Sequence, residues 1–273
     1  MKAKKNAPVY KDYFEKVQNY CMFVGYPRSS HSLIGSLLDA HPEIVIGHEE
    51  DALKFVNNYN FTRDRIFWKL LRNSQMMREN GRQWSGYSYE VKNQYQGKFE
   101  DLKVIGDKKG ANSTKRIREY PVNFEKFKKL IGKPFKIIHV YRNPYDNLGT
   151  IAYRTRFKKS NWVTDSLLEN QIRIYFGMVD FINKYRKKQH KGEEWIDVKS
   201  EDFIQDPSNE LKRLCDFLEV SKPQEYIEKC SSIVYESPRK SRHRVKWSDK
   251  NIQLVKELSQ KYDLLKDYSF EDD

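Results

Sequence analysis

The residues best suited to chemistry in this chain lie where short apolar runs end. The first run, Tyr20 to Val24, leads into Gly25-Tyr26-Pro27-Arg28-Ser29-Ser30-His31-Ser32 and then into a helical stretch. Successive backbone N–H groups at such a strand-to-helix turn, backed by the helix dipole, bind anionic oxygens whatever group carries them. Arg28 adds a charge-assisted donor, and the hydroxyls of Ser29, Ser30 and Ser32 add neutral ones. On the phosphate-loop template G-x-x-x-x-G-K-[ST], Gly25 and Ser32 hold the first and last places, but Ser30 replaces the second Gly and His31 the Lys. That Lys bridges the β and γ phosphates of a triphosphate, so its loss argues against ATP or GTP hydrolysis and for another phosphorylated donor. The simpler use of the same residues is a helix cap.

A second constellation follows the run Phe135 to Tyr141, where Arg142-Asn143-Pro144 opens a stretch carrying Thr150 and Arg154. Pro144 suits the first position of a helix, so Thr150 and Arg154, at i and i+4, share one face and can meet Arg142 at a single anion. Two more strand ends carry titratable groups, Gly47-His48-Glu49-Glu50 and Gly106-Asp107-Lys108-Lys109-Gly110. The imidazole of His48 titrates near neutral pH, which makes it a candidate base. Glu49, Glu50 and Asp51 could equally be the solvated first turn of a helix, favoured by its dipole. Asp107 could be read as an acid holding Mg²⁺, but without the phosphate-loop Lys no metal is assigned. Near the end, Ser237 to Trp247 carries five basic residues and His243 just before a final helix capped by Ser248.

These groups need a scaffold that brings strand ends together. Apolar runs at Tyr20–Val24, Ile44–Ile46, Leu102–Ile105, Phe135–Tyr141 and Trp195–Val198 alternate with amphipathic stretches, which predicts an α/β protein with a central parallel sheet flanked by helices. Helices are predicted over Ser32–Ala40, closed by His41-Pro42, over Phe124–Ile131, closed by Gly132-Lys133-Pro134, and over Asn209–Leu218. No linker or repeat divides the 273 residues, so one domain over 1–273 is expected, with 54–101 as an insertion or lid on the substrate side. That insertion mixes Trp68, Trp84, Tyr87, Tyr89 and Tyr95 with Arg72, Arg78 and Arg82, which suits either a stacked ring or an acidic acceptor.

The net charge of +13 points to an anionic partner or ligand. Three cysteines without close pairing suggest neither a disulfide framework nor a zinc cluster, and no apolar stretch reads as a leader or a membrane span. A cytoplasmic location and no membrane partner are therefore expected.

Residues 25 to 42, with Leu37-Leu38-Asp39-Ala40-His41-Pro42 after the loop, resemble the opening of the sulfotransferases that use 3′-phosphoadenosine 5′-phosphosulfate (PAPS). Arg142-Asn143-Pro144 with Thr150 eight residues after Arg142 is similar to that family's 3′-phosphate signature, with Thr for the usual Ser. The resemblance implies a P-loop nucleotide-kinase-like sulfotransferase fold, PAPS as donor and no metal. It places Arg28, Ser29, Ser30, His31 and Ser32 at the donor's phosphosulfate, and Arg142, Thr150, Arg154, Arg239 and Lys240 around the nucleotide. In the tyrosylprotein branch of the family the residue at the position of Glu49 is the base, which ranks Glu49 before His48. Lys108 falls where similar members place a lysine near the sulfuryl group. A small-molecule or carbohydrate acceptor is expected, with no nucleic acid as partner. A P-loop kinase and a nucleic-acid-binding protein are the competing readings; the first lacks its Lys, and the second leaves the helix-entering loop and the Arg-Asn-Pro turn unexplained.

Overall fold

The computed structural model describes residues 10–57, 61–159 and 164–272; the lysine-rich amino terminus lies outside the described residues. The five apolar runs form β1 (Asn19–Gly25), β2 (Ile44–His48), β5 (Val104–Lys108), β6 (Phe135–Tyr141) and β7 (Glu193–Lys199). They make one parallel sheet in the order β2-β5-β1-β6-β7. Every residue of β1, β2 and β5 is buried, as a parallel sheet covered on both faces requires. Alternation survives inside this uniform burial: Cys21 and Phe23 face one layer of helices, while Tyr20, Met22 and Val24 face the other.

The first layer contains α2 (His31–Leu38), α9 (Pro207–Leu218) and α10 (Gln224–Ser232), which bury Leu33, Leu37, Leu211, Leu214 and Ile227. The second contains α1 (Lys11–Lys16), α3 (Arg63–Glu79) and α5 (Pro121–Ile131), behind α4 (Ala111–Glu119). A third cluster joins α6 (Pro144–Lys159), α7 (Asp165–Arg186) and α11 (Asp249–Ser259), with α8 (Ser200–Gln205) following β7 directly. Helix α2 ends before Ala40, Pro121 rather than Phe124 opens α5, and Ser248 caps α11 by accepting from the N–H of Asn251.

The chain leaves β1 toward β2 on one side, fills the gap with β5, then crosses to β6 and β7 on the other. The loops after β1 and β6 therefore diverge, and the crevice between them is where a doubly wound sheet receives a ligand. Gly149 lets the returning basic turn Ser241–Arg244 lie on α6 beside this crevice: a Cβ there would stand 2.7 Å from the Ser241 carbonyl oxygen and 2.9 Å from Arg242 Cα.

Residues 54–101 divide in two. The first half, α3, is core: Ile66, Phe67, Leu70 and Leu71 are buried, and Trp68 stacks on Tyr10. The second half forms the two-residue strands β3 (Gln83–Trp84) and β4 (Tyr87–Ser88) within otherwise irregular chain. Its anchor is Asp39, fully buried just after α2. Asp39 Oδ1 accepts from the N–H of Ile46 (2.6 Å). Its Oδ2 accepts from Ser74 Oγ (2.5 Å) and the N–H of Gly97 (3.2 Å), and pairs with the buried guanidinium of Arg82. Removing one partner of a buried, hydrogen-bonded pair leaves an uncompensated charge, at about 3–5 kcal/mol. Asp39→Ala should accordingly cost about that much in a urea titration. An equal midpoint for variant and wild type would show that the pair is dispensable.

Candidate active site

The loop after β1 is pinned from three sides. Tyr26 is buried and its hydroxyl lies 3.1 Å from His139 Nε2, whose Nδ1 lies 2.7 Å from Asp197. Asn147 on α6 donates to Ser29 Oγ (2.9 Å), and Ser30 Oγ shares a 2.6 Å hydrogen bond with Ser200 Oγ at the start of α8. Arg28 and Ser30 take φ of 68° and 66°, left-handed values that side chains rarely adopt, and Ser30 does so at the place of the template's second Gly. The turn thus keeps the glycine-type conformation, and no side chain caps the start of α2. Its first N–H groups are free of intrahelical partners by construction and open toward an anion.

His31 enters this loop differently from a phosphate-loop Lys. Its imidazole is buried between Gly25 and Gly110 and donates from Nε2 to the Val24 carbonyl (3.0 Å). Burial holds it neutral, with its pKa down at about 4 despite that bond. The ring therefore braces the turn against β1 and leaves only the residue's backbone for a ligand.

At the end of β2, Glu49 leaves the strand with φ of 60°. Its Oε1 accepts from Lys108 Nζ at 2.7 Å, and its Oε2 is 3.0 Å from Lys109 Nζ. Burial pushes the Glu49 carboxyl upward, but the two ammonium groups outweigh it and hold the group below its ordinary value, ionised at neutral pH. Lys108 is buried, pushed below its usual pKa by desolvation and partly restored by Glu49, and also donates to Ser32 Oγ (3.1 Å). His48 lies 3.4 Å from the same ammonium through Nε2 and packs edge-on against Trp84. Desolvation and Lys108 push His48 down to about 3, so the near-neutral titration expected of it does not occur in this setting.

The rim formed after β6 carries Arg142, which donates to the carbonyls of Arg28 (3.3 Å) and Arg239 (2.6 Å) and so ties the first loop to the basic loop. Thr150 Oγ1 donates to the Asp146 carbonyl one turn back (2.9 Å). Thr150 and Arg154 both line the cleft, and Arg154 is close enough to Arg28 to help lower its pKa, after the larger effect of burial. The cleft has a volume of about 560 Å³, within the usual range for small-ligand sites. Among the described residues its lining holds six cationic side chains, Arg28, Lys109, Arg142, Arg154, Arg239 and Arg244, and one carboxylate, Glu49.

The structure brings together Arg28, Ser29, Ser30, His31, Ser32, Glu49, Arg142, Thr150, Arg154 and Arg239 at this lining. Lys108 and His48 lie one layer deeper, and Lys240 falls outside the lining at the start of the Ser241–Arg244 turn, where Arg244 takes the inward place. Trp84, Tyr87 and Tyr89 reach the cleft, whereas Tyr95 is bonded to Glu100 elsewhere. The arginines of the insertion do not serve the cleft: Arg82 is buried on Asp39, Arg72 pairs with Glu79 at 2.9 Å, and Arg78 lies outside the lining. Sequence reasoning missed Tyr153, Tyr235, Asn147 and Ser200. Arg239 lies over the rings of Tyr87 (4.9 Å) and Tyr235 (5.2 Å) and bonds Tyr87 Oη, closing the hairpin onto the basic loop. A signal was available for Asn147, which lies between Pro144 and Thr150 on the helix that the Arg-Asn-Pro turn opens.

A parallel sheet with a loop of left-handed turns entering a helix after its first strand and a basic rim after its fourth defines a P-loop-type α/β fold. The chain belongs to the sulfotransferase family, whose profile matches residues 22–224. Solved structures agree on the fold. A sulfotransferase domain of the Synechococcus PCC 7002 olefin synthase shares 15% identity at a TM-score of 0.51, covering 90% of this chain and 96% of that one. Sulfotransferase STF9 from Mycobacterium avium shares 12% at a TM-score of 0.52, covering 94% and 81%. Sulfotransferase STF1 from Mycobacterium tuberculosis H37Rv shares 9% at 0.51, covering 94% and 80%. No curated protein sequence matches the chain. Among the described residues no helix is long and apolar enough to cross a membrane.

Asp107, read from sequence as a conceivable metal acid, is buried with Oδ2 accepting from the N–H of Ala52 (2.7 Å) and Oδ1 without a partner. Burial, opposed by that N–H and reinforced by Asp51, raises its pKa to about 7. The folded protein then binds one more proton than the unfolded chain between about pH 4 and 7, so this group makes stability fall as pH rises through that window. Asp107→Asn should raise the unfolding free energy from a urea titration at pH 8 by about 2 kcal/mol or more and leave it nearly unchanged at pH 4. The same increment at both values would rule out the titration.

Proposed function

We propose that this protein transfers the sulfuryl group of PAPS to a hydroxyl or amine of a small-molecule or carbohydrate acceptor, with Glu49 as general base. The observation that carries this reading is the cleft's charge pattern, six cations around a helix start with a single carboxylate among them. A bisphosphorylated donor needs that concentration of positive charge, and a base must be the one acidic group within reach of the acceptor.

In this reading Arg28 and the backbone of Ser29 to Ser32 hold the phosphosulfate. Arg142, Thr150, Arg154 and Arg239 hold the 3′-phosphate, with Thr150 exchanging its bond to Asp146 for a phosphate oxygen. Arg244 contributes the charge expected of Lys240. Lys108, already 3.1 Å from Ser32 Oγ at the loop, transfers its hydrogen bond from Glu49 to the bridging oxygen as negative charge develops there. That transfer removes one of the two ammonium contacts that keep Glu49 weakly basic, so the carboxylate gains basicity when the donor is in place. The acceptor oxygen then forms its bond to sulfur as the bond from sulfur to the 5′-phosphate oxygen breaks, Glu49 receives the acceptor proton, and adenosine 3′,5′-bisphosphate leaves. Neutral His48 supports Trp84 from beneath. Trp84, Tyr87 and Tyr89, at the tip of the lid within 54–101, offer ring faces to the acceptor.

A thermal-shift titration tests the donor assignment. Adenosine 3′,5′-bisphosphate at about a hundred times its Kd should add about 2.7 kcal/mol, a rise of about 5 °C or more for a chain of this size, whereas AMP and ATP should give less. Arg154→Ala should lose most of that rise without disturbing the loop that Arg142 ties. Equal shifts with AMP, or an unchanged Arg154→Ala response, would defeat the reading. For the base, Glu49→Gln should lower kcat about 10²- to 10⁴-fold with bisphosphate binding retained, measured on an acceptor found by screening with PAPS. Turnover at the wild-type rate would remove Glu49 from that role.

A further inference from the structure

Opposite the cleft, at the amino ends of the strands, three side chains converge that the transfer reaction does not use. Glu125 projects from α5, His190 lies in the turn after α7, and Glu193 is the first residue of β7, paired in register with Phe135, the first residue of β6. One ligand atom from each lies within 4.8 Å of the other two. The side chain of Glu193 is completely buried, an unusual position for a carboxylate, and its Oε2 has no hydrogen-bond partner. His190 Nε2 is also buried without a partner. Buried polar atoms are otherwise paired, and a metal ion beside Lys128 would give both of these atoms a partner.

The surroundings fix both ligands in advance. Tyr185 stacks on the His190 ring at 3.9 Å and 13° and donates from its hydroxyl to Glu193 Oε1 (2.8 Å), so one residue orients the imidazole and the carboxylate together. The turn is closed by the N–H of Glu193 donating to the His190 carbonyl (3.3 Å). Lys128 Nζ occupies the remaining sides, 2.6 Å from Glu193 Oε1 and 2.8 Å from Glu125 Oε1. It neutralises one of the two carboxylates and leaves a net negative charge, with Glu193 Oε2 and the imidazole nitrogen still unpartnered.

We propose that Glu125, His190 and Glu193 bind a Zn²⁺ ion, with water in the fourth position, as a structural clamp between α5, the end of α7 and the edge strand β7. One imidazole with two carboxylate oxygens suits this borderline ion, whereas Mg²⁺ and Ca²⁺ favour oxygen alone. The site stands apart from the cleft and does not depend on the function proposed for it.

The test uses the full chain after chelator treatment. Calorimetric titration with Zn²⁺ should show one equivalent bound, Zn²⁺ should raise Tm by several degrees, and Co²⁺ should give the visible absorption of a tetrahedral site. His190→Ala should abolish the Co²⁺ spectrum and the Tm rise, and Glu125→Gln, at a solvent-exposed position, should weaken Zn²⁺ about tenfold or more while leaving the metal-free Tm near wild type. Substoichiometric Zn²⁺ uptake by wild type, or Zn²⁺ binding by both variants at the wild-type affinity, would overturn the proposal.

Discussion

The buried carboxylate of Asp39 is the constraint on which the cleft depends. It receives hydrogen bonds or charge from β2, from α3, from the base of the hairpin and from the chain at Gly97. Apolar packing already holds β2 and α3, but the hairpin strands are two residues each, too short to persist alone. A single desolvated anion therefore does the organising that apolar packing does elsewhere, and it holds Trp84 and Tyr87 over the strand ends. Burying such a pair is not a large net source of stability, but it penalises every arrangement that leaves one partner alone, which makes it a device for specificity of placement.

The cleft itself stores strain and charge together. Arg28 and Ser30 on one loop, Glu49 and Asp51 on another, all take left-handed backbone conformations. Each costs of order 1–3 kcal/mol and persists only because the surroundings overdetermine it. Here the surroundings are identifiable. Asn147 and Ser200 hold the first loop. Lys108 and Lys109 hold Glu49, and Arg116 holds Asp51. Concentrating six cations at one lining is also unfavourable without a ligand, and Arg142 relieves part of that by donating to two carbonyls instead of facing its neighbours. A polyanion entering the cleft would find donors already aimed, at little cost of reorganisation.

Against this frame the excess charge of the chain divides. Six cations have an address in the cleft. Others are spent on local pairs, such as Lys128 with Glu125 and Glu193, or Lys136 with Glu194 and Glu219. In these pairs the Glu193 carboxylate and the Lys136 side chain are buried, so each needs its partner to offset the loss of water.

The parallel sheet flanked by helices, the loop after the first strand and the Arg142 turn were legible in the sequence, because hydrophobic period, Gly and Pro stops, and helix-start chemistry are local signals read within a few residues. All five apolar runs became strands, and the loop 25–32 and the Arg142 turn came to one crevice. Only the tertiary structure decided which side chains face it. His31 and His48 differ from their sequence reading because desolvation and a neighbouring ammonium, not the intrinsic pKa, govern a buried imidazole. Arg82 turned from a possible acceptor contact into the partner of Asp39, and Arg244 rather than Lys240 turned inward, since neither long-range pairing nor the phase of a short 3₁₀ turn leaves a periodic trace. Contacts such as Ser30 with Ser200, 170 residues apart, exist only once the chain has closed on itself, which is why the machinery was legible as motifs and its wiring was not.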